Sequence, residues 1–304
     1  MSSMPAKAIP EPIVSTKRTS VDWNLVALLL VLLLACYATV LYHLGLQWAT
    51  DDDMGHGFFV PAVAGYIVWR RRDELRAIEA EPSYWGVAVI LLGGLQMLVG
   101  ALAAELFIQR TAFLVSLAGV LLLAGGRKLV RHLAFPLFLL LFMIPIPAII
   151  YSQLTLRLQL FASSVAETLL GLIGIPVLRD GNVLQLPSET LSVVEACSGI
   201  RSLLSLSFLS LVYAYFFDSK PWMRGALLVA TVPIAIVANA GRVTLTGVLG
   251  EYAPSVAHGV FHTLEGGVLF LVALLILTLV HQLLNRIHRA CQRLSVIPTA
   301  VSHE

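Results

Sequence analysis

Residues 56–72 read HGFFVPAVAGYIVWRRR, and whether this stretch crosses a membrane decides the orientation of everything after it. Its apolar part, about residues 57–69, would rise only about 20 Å as an α-helix, against the roughly 30 Å of a hydrocarbon core. Charge placement nevertheless argues for a crossing. With it counted, Lys7, Lys17, Arg18, Arg70, Arg71, Arg72, Arg76, Arg127, Lys128, Arg131, Lys220, Arg224, Arg286, Arg289 and Arg293, 15 of the 20 basic residues, share one side. Without it, every later basic cluster moves away from the N-terminal charges and the positive-inside bias is lost.

The rest of the chain has the same character. Of its 304 residues 58% are hydrophobic and only 12% charged, about half the charged share of a soluble domain. Apolar runs of membrane-spanning length recur at about 24–43, 57–69, 85–104, 111–125, 133–150, 198–217, 225–249 and 264–284. The motif LLAC ending at Cys36 resembles a lipoprotein cleavage box, but the apolar run continues through Tyr42, as an uncleaved first span would. The expected fold is an all-α integral membrane protein of about eight transmembrane helices, with a small outer-side segment of helix plus β-hairpin. Both termini are then cytoplasmic. Residues 1–20 and 291–304 are expected as cytoplasmic tails, the first of them disordered, around one membrane domain at 21–290. The net charge of +2, with basic residues scattered along the chain, argues against nucleic-acid binding.

The longest interval between spans, about residues 151–196, is expected on the outer side. Its first half, YSQLTLRLQLFASSVAETLLGLIGI, has apolar residues at helical spacing broken by Gln, Arg and Ser, the pattern of an interfacial helix. In the second half VLRDGNVLQL sets Asp180-Gly181 between two β-prone runs, a hairpin signal, and TLSVVEA offers further extended residues.

Cys197, in VEACSGIRSL, is one of three cysteines, with no CxxC pair and no zinc-type spacing. It falls at the N-terminus of the sixth span, where free N–H groups favour a thiolate, and Arg201 adds positive charge one turn on. The bland alternative is a helix cap at Ser198 or Gly199 beside an inert core thiol. Arg242 lies inside the apolar run of ANAGRVTLTG with Asn239 and Thr246 on its helical face, and a charge in that setting requires a partner or a wet cavity, or a snorkelling path. His258 and His262, in HGVFHTLEGG, stand four apart with Glu265 beyond. They are interfacial anchors, metal ligands with Glu265, or the base for a thiol. Cys197, Arg242 and His262 all reach the outer side. They suit acyl transfer, with the thiol as nucleophile, the imidazole as proton carrier and the guanidinium on the oxyanion or substrate. His56 lies on the same side. Asp51, Asp52 and Asp53 read as an exposed loop.

The segments GNVLQLPSETLSVVEACSGIRSLLSL, ANAGRVTLTG and HGVFHTLEGGVLF, with GHGFFVPAVAGYIVWRRR before them, resemble the exosortase/archaeosortase family of membrane cysteine transpeptidases. The likeness covers about residues 20–290. It implies a catalytic set at Cys197, Arg242 and His262, the histidine marking the bacterial branch. His56, Glu195, Ser198, Arg201, Asn239 and His258 stand beside these as supporting or substrate-binding residues, His258 also being the alternative base. The resemblance further implies a bacterial inner-membrane enzyme with no cofactor. Its partners would be exported proteins bearing a C-terminal tail of a Pro-Glu-Pro-like motif, one transmembrane helix and a basic cluster, with membrane lipids around it. An acceptor nucleophile in the membrane would take the cleaved chain. Two other classes remain open: a metal-dependent hydrolase built on His258, His262 and Glu265, and a transporter or scaffold of polysaccharide export with Arg242 binding an anion.

Overall fold

A backbone immersed in lipid has to satisfy its own hydrogen bonds, so an apolar chain becomes helix wherever proline permits. The computed structural model describes residues 20–193, 199–218, 220–253 and 262–295. Its helices are α1 (Trp23–Cys36), α2 (Ala38–Thr50), α3 (Phe59–Arg70), α4 (Arg72–Arg76), α5 (Trp85–Leu102), α6 (Leu106–His132), α7 (Ala134–Leu139), α8 (Ala148–Ile173), α9 (Ile200–Phe217), α10 (Pro221–Tyr252) and α11 (His262–Ser295). Single 3-10 segments occupy Asp52–Phe58 and Leu140–Met143, and three short strands, β1 (Leu178–Asp180), β2 (Val183–Gln185) and β3 (Thr190–Ser192), lie between α8 and α9.

Among the described residues six helices are long and apolar enough to cross a membrane, or seven if α1 and α2, interrupted at Tyr37, form one span. The expectation of eight spans is therefore corrected in two places. The stretch at 57–69 forms α3, a helix of 12 residues, which rises only about 18 Å. The run at 133–150 is not one helix. Pro145 and Pro147 lack a backbone N–H, the residue before a proline is pushed extended, and Ile144 duly has ψ 121°. The chain restarts as a helix after Pro147, so the presumed interfacial helix at 151–175 becomes most of α8. At 26 residues α8 is itself of spanning length.

The described residues pack as two compact units, those within 1–41 together with those of 64–138, and those of 42–63 together with those from 139 onward. In the first, α5 presents Gly86, Gly93 and Gly100 at seven-residue intervals along one buried stripe. A Cβ at these positions would meet Leu123, Ser116 and Gln109 of α6, so the stripe sets how closely the two helices approach. Tyr37 locks the same contact, its hydroxyl lying 2.9 Å from Ser116 Oγ and 3.3 Å from the Gly93 carbonyl.

In the second unit α10 packs against α8, α9 and α11. Leu206, Met223, Leu227, Ala273 and Leu277 form the core shared by α9, α10 and α11. The hairpin closes where the sequence places it. Asp180 pairs with Val183 across Gly181 and Asn182, and β3 extends the sheet antiparallel to β2, with Leu184 opposite Leu191. Leu184, Leu186 and Val193 bury against Ala162, Ala166 and Leu170 of α8 and Ala240 and Val243 of α10.

A polar cluster closes the end of this unit where α9 passes into α10. Asp218 Oδ1 accepts from the Lys220 backbone N–H at 2.8 Å, and Oδ2 accepts from Asn285 Nδ2 at 3.2 Å and lies 3.1 Å from His281 Nε2. The Tyr213 hydroxyl is 3.0 Å from His281 Nδ1, and Lys220 Nζ donates to Asn285 Oδ1 at 2.7 Å. Burial alone would raise the Asp218 pKa. The Lys220 backbone bond, the His281 and Asn285 contacts and the Lys220 charge outweigh it and hold the carboxyl well below the usual carboxylate range.

Because that pKa is depressed by folding, the stability Asp218 supplies is complete above its unfolded value and is lost as pH falls through the folded one. Asp218→Ala is expected to destabilise this unit by about 3–5 kcal/mol at neutral pH, the scale for a buried pair stripped of one partner. In unfolding curves taken in detergent micelles, the gap between wild type and variant should stay constant from neutral pH down to about 4 and narrow only below it.

Candidate active site

The site is assembled on α10. Its Asn239 is buried, Ala240 and Val243 belong to the core under the hairpin, and Arg242 lies between them. The chain passes out of the described residues after Val193, whose backbone N–H donates to the Asn182 carbonyl at 3.0 Å. It returns at Gly199, the N-cap of α9, with φ +65°. An L-residue there would adopt an unfavourable left-handed conformation, and its Cβ would stand 3.0 Å from Asn239 Cγ and Nδ2. Both ends of the segment that carries Cys197 are thus seated against one stretch of α10.

Two small cavities flank Asn239. One, of about 10 Å³, lies among α8, α9 and α10 and is lined by Leu158, Gly199, Leu203 and Asn239. The other, of about 20 Å³, lies among α9, α10 and α11. It has Ser202, Asn239 and Arg242 as its polar walls and Leu206, Leu269 and Phe270 as its apolar ones. The larger is about the size of one water. Arg242 therefore lines a cavity among α9, α10 and α11 whose walls are mostly apolar, with Ser202 and Asn239 as its polar neighbours there.

The 3-10 segment Asp52–Phe58 contributes from the other side of α9. The His56 ring packs on Phe208, centroids 6.5 Å apart. Burial lowers the His56 pKa, and the nearby carbonyls of Phe142 and Asp53, which favour a protonated ring, offset this only in part. Nδ1 of this imidazole is buried and without a hydrogen-bond partner among the described residues. Trp48 holds this segment through Nε1, which donates to the Met143 carbonyl at 2.9 Å, and through its edge-on contact with Phe58.

The reading of Asp51 and Asp53 as part of an exposed loop is corrected here. Asp53 Oδ1 accepts from Arg201 Nε at 2.7 Å, Oδ2 accepts from the Tyr151 hydroxyl, and the side chain is only 23% exposed. Asp51 Oδ1 caps the Asp53 N–H at 3.0 Å. Asp53 and Tyr151 are functional candidates that sequence reasoning passed over. The available signal was three carboxylates in a chain with so few charges, next to His56.

Of the other expected site residues, the structure brings Asn239 and Arg242 to one cavity, with Gly199 against Asn239, and ties Arg201 to Asp53. Glu195, Cys197, Ser198 and His258 lie outside the described residues. His262 opens α11, and its side chain and that of Glu265 also lie outside them.

A family model described as transmembrane exosortase matches residues 48–279, which includes every element of this site. Neither a curated protein nor a solved structure matches the chain significantly.

Gly199→Ala is expected to lower stability by about 1–2 kcal/mol from the left-handed backbone alone, with a further loss from the contact with Asn239. An unfolding midpoint measured in micelles reads the sum. The double variant Gly199→Ala/Asn239→Ala should recover the part due to the contact and leave the backbone part.

Proposed function

The chain belongs to the transmembrane exosortase family, and on that footing we propose that it is a membrane-embedded cysteine transpeptidase that removes C-terminal sorting tails from exported proteins. The observation that carries this reading is the anchoring of the Cys197 segment on α10 beside Asn239 and Arg242, through Val193 on one side and Gly199 on the other. Only five residues separate those anchors.

In the proposed reaction Cys197 Sγ attacks the carbonyl carbon at the scissile bond while His262, or His258 in its place, takes the thiol proton. Arg242 stabilises the oxyanion of the tetrahedral intermediate or orients the substrate. Collapse of that intermediate breaks the C–N bond, the imidazolium gives its proton to the leaving amine, and a thioester remains on Cys197. An acceptor amine in the membrane, or water, then attacks the thioester and regenerates the thiol. A tail made of a Pro-Glu-Pro-like motif, one transmembrane helix and a basic cluster suits this arrangement. With its basic end cytoplasmic, the tail helix presents the scissile bond at the opposite, outer membrane face, where the site is placed in this reading. The enzyme would then sit in a bacterial inner membrane, with the site on its outer face.

In cells co-expressing an exported protein with such a tail, Cys197→Ala should leave the precursor uncut on an immunoblot. Arg242→Ala should slow cleavage by about 10²–10³-fold, the scale for an oxyanion donor. A thioester-linked fragment on Cys197, identified by mass spectrometry after acid quench, is the positive result. Undiminished cleavage by Cys197→Ala, lost on chelation, would assign the chemistry to a metal held by His258, His262 and Glu265 instead.

A further inference from the structure

The polar node at Asp53 joins three segments far apart in the chain: the 3-10 segment Asp52–Phe58, the start of α8 at Tyr151 and the start of α9 at Arg201. We propose that Asp53 is a positioning residue for the reaction, holding Arg201 and Tyr151 so that the first turn of α9, which follows Cys197 in the chain, is held in place against α10. This rests on the reading of Cys197 as the nucleophile.

The geometry of the carboxylate supports the assignment. Both oxygens are engaged by different elements, one by Arg201 Nε at 2.7 Å and the other by the Tyr151 hydroxyl. The residue is itself oriented from behind, because its N–H donates to Asp51 Oδ1 at 3.0 Å while Asp51 Oδ2 accepts from Gln47 Nε2 at 3.2 Å. Arg201 is the second residue of α9, and Cys197 precedes it by four positions.

Energetics separate positioning from simple bracing. The Arg201 side chain is 52% exposed, and an ion pair this open contributes little to stability. Rotation of the α9 terminus is another matter, since a misplacement of about 1 Å at a reacting atom can cost on the order of 10²-fold in rate. A residue that adds little to stability yet ties down the turn beside the nucleophile should show itself in kcat.

The experiment uses the full-length chain in micelles in a Cys36→Ser/Cys291→Ser background, which leaves Cys197 as its single thiol. Asp53→Asn and Arg201→Ala are each expected to lower kcat for a tailed substrate by about tenfold to a hundredfold with KM changed less than about threefold. The double variant should lose no more than either single one, because both break the same link. Tyr151→Phe, which removes one hydroxyl, should give a smaller loss of the same kind, and Asp53→Glu a partial return. Alkylation of Cys197 by a small maleimide, which needs no catalysis, should change in rate by the same factor in Asp53→Asn and Arg201→Ala. Additive losses, a change confined to KM, or alkylation rates equal to the parent's would overturn the proposal. Cleavage that survives Cys197→Ala would sink the thiol reading, while the alkylation rates would still report whether Asp53 governs the start of α9.

Discussion

The second unit depends on one stretch of α10, from Ala235 to Val243, that accepts three different partners. Gly199 fits closely against Asn239, where a Cβ would stand 3.0 Å from the amide group. The hairpin lays Leu184, Leu186 and Val193 on Ala240 and Val243. Helix α11 leaves a small cavity against Arg242. Each approach needs a small or flat surface, and the sequence supplies it as Ala235, Ala238, Ala240 and Gly241 around the two polar residues. Small residues let helices close up in a membrane, where apolar burial drives association weakly and packing decides it. The same residues that permit close packing therefore also hold the polar groups at a fixed depth within it.

What was legible in the sequence follows from how local each signal is. The hairpin at Asp180-Gly181 depends on a turn residue and alternation over ten positions, and it formed there. The long helices depend on apolar composition, and they formed. The number of crossings depends on where those runs break, and Pro145 and Pro147 outweighed the apolar character around them. The seven-residue glycine stripe on α5 had a readable period, but its meaning requires knowing that α6 is the partner. Asp53 was the hardest to read, because a run of aspartates before a short helix looks like solvated loop until Tyr151 and Arg201, about 100 and 148 positions away, are brought to it. A contact of that sequence separation leaves no local trace in either partner.

The placement of charge in this unit shows a consistent economy of means. Arg201 is matched by Asp53, and Lys220 by Asp218 and Asn285. Exposed pairs of this kind contribute little to folding on their own. Buried ones are costly when one partner is missing. The Asp218 cluster belongs to the second class and holds α9, α10 and α11 at the end of the unit away from the site. The Asp53 pair belongs to the first, so its retention beside the start of α9 is better explained by where it holds the chain than by how strongly.

The length of α10 accounts for why the hairpin sits where it does. Its 32 residues extend about 48 Å, against a hydrocarbon core of roughly 30 Å. Measured from Pro221, Arg242 lies about 32 Å along the helix, close to one full core thickness. If the Asp218 cluster marks one interface, Arg242 reaches the other, and the turns beyond it project past the lipid. Those turns are the ones the hairpin segment covers. Gly247 faces Leu170 and Leu186, and Gly250 lies under Glu189, with Ser188 Oγ donating to its carbonyl at 3.4 Å. An overhanging helix end would otherwise present apolar side chains to water. Packed against the hairpin it becomes instead the wall on which the strand leading toward Cys197 is mounted.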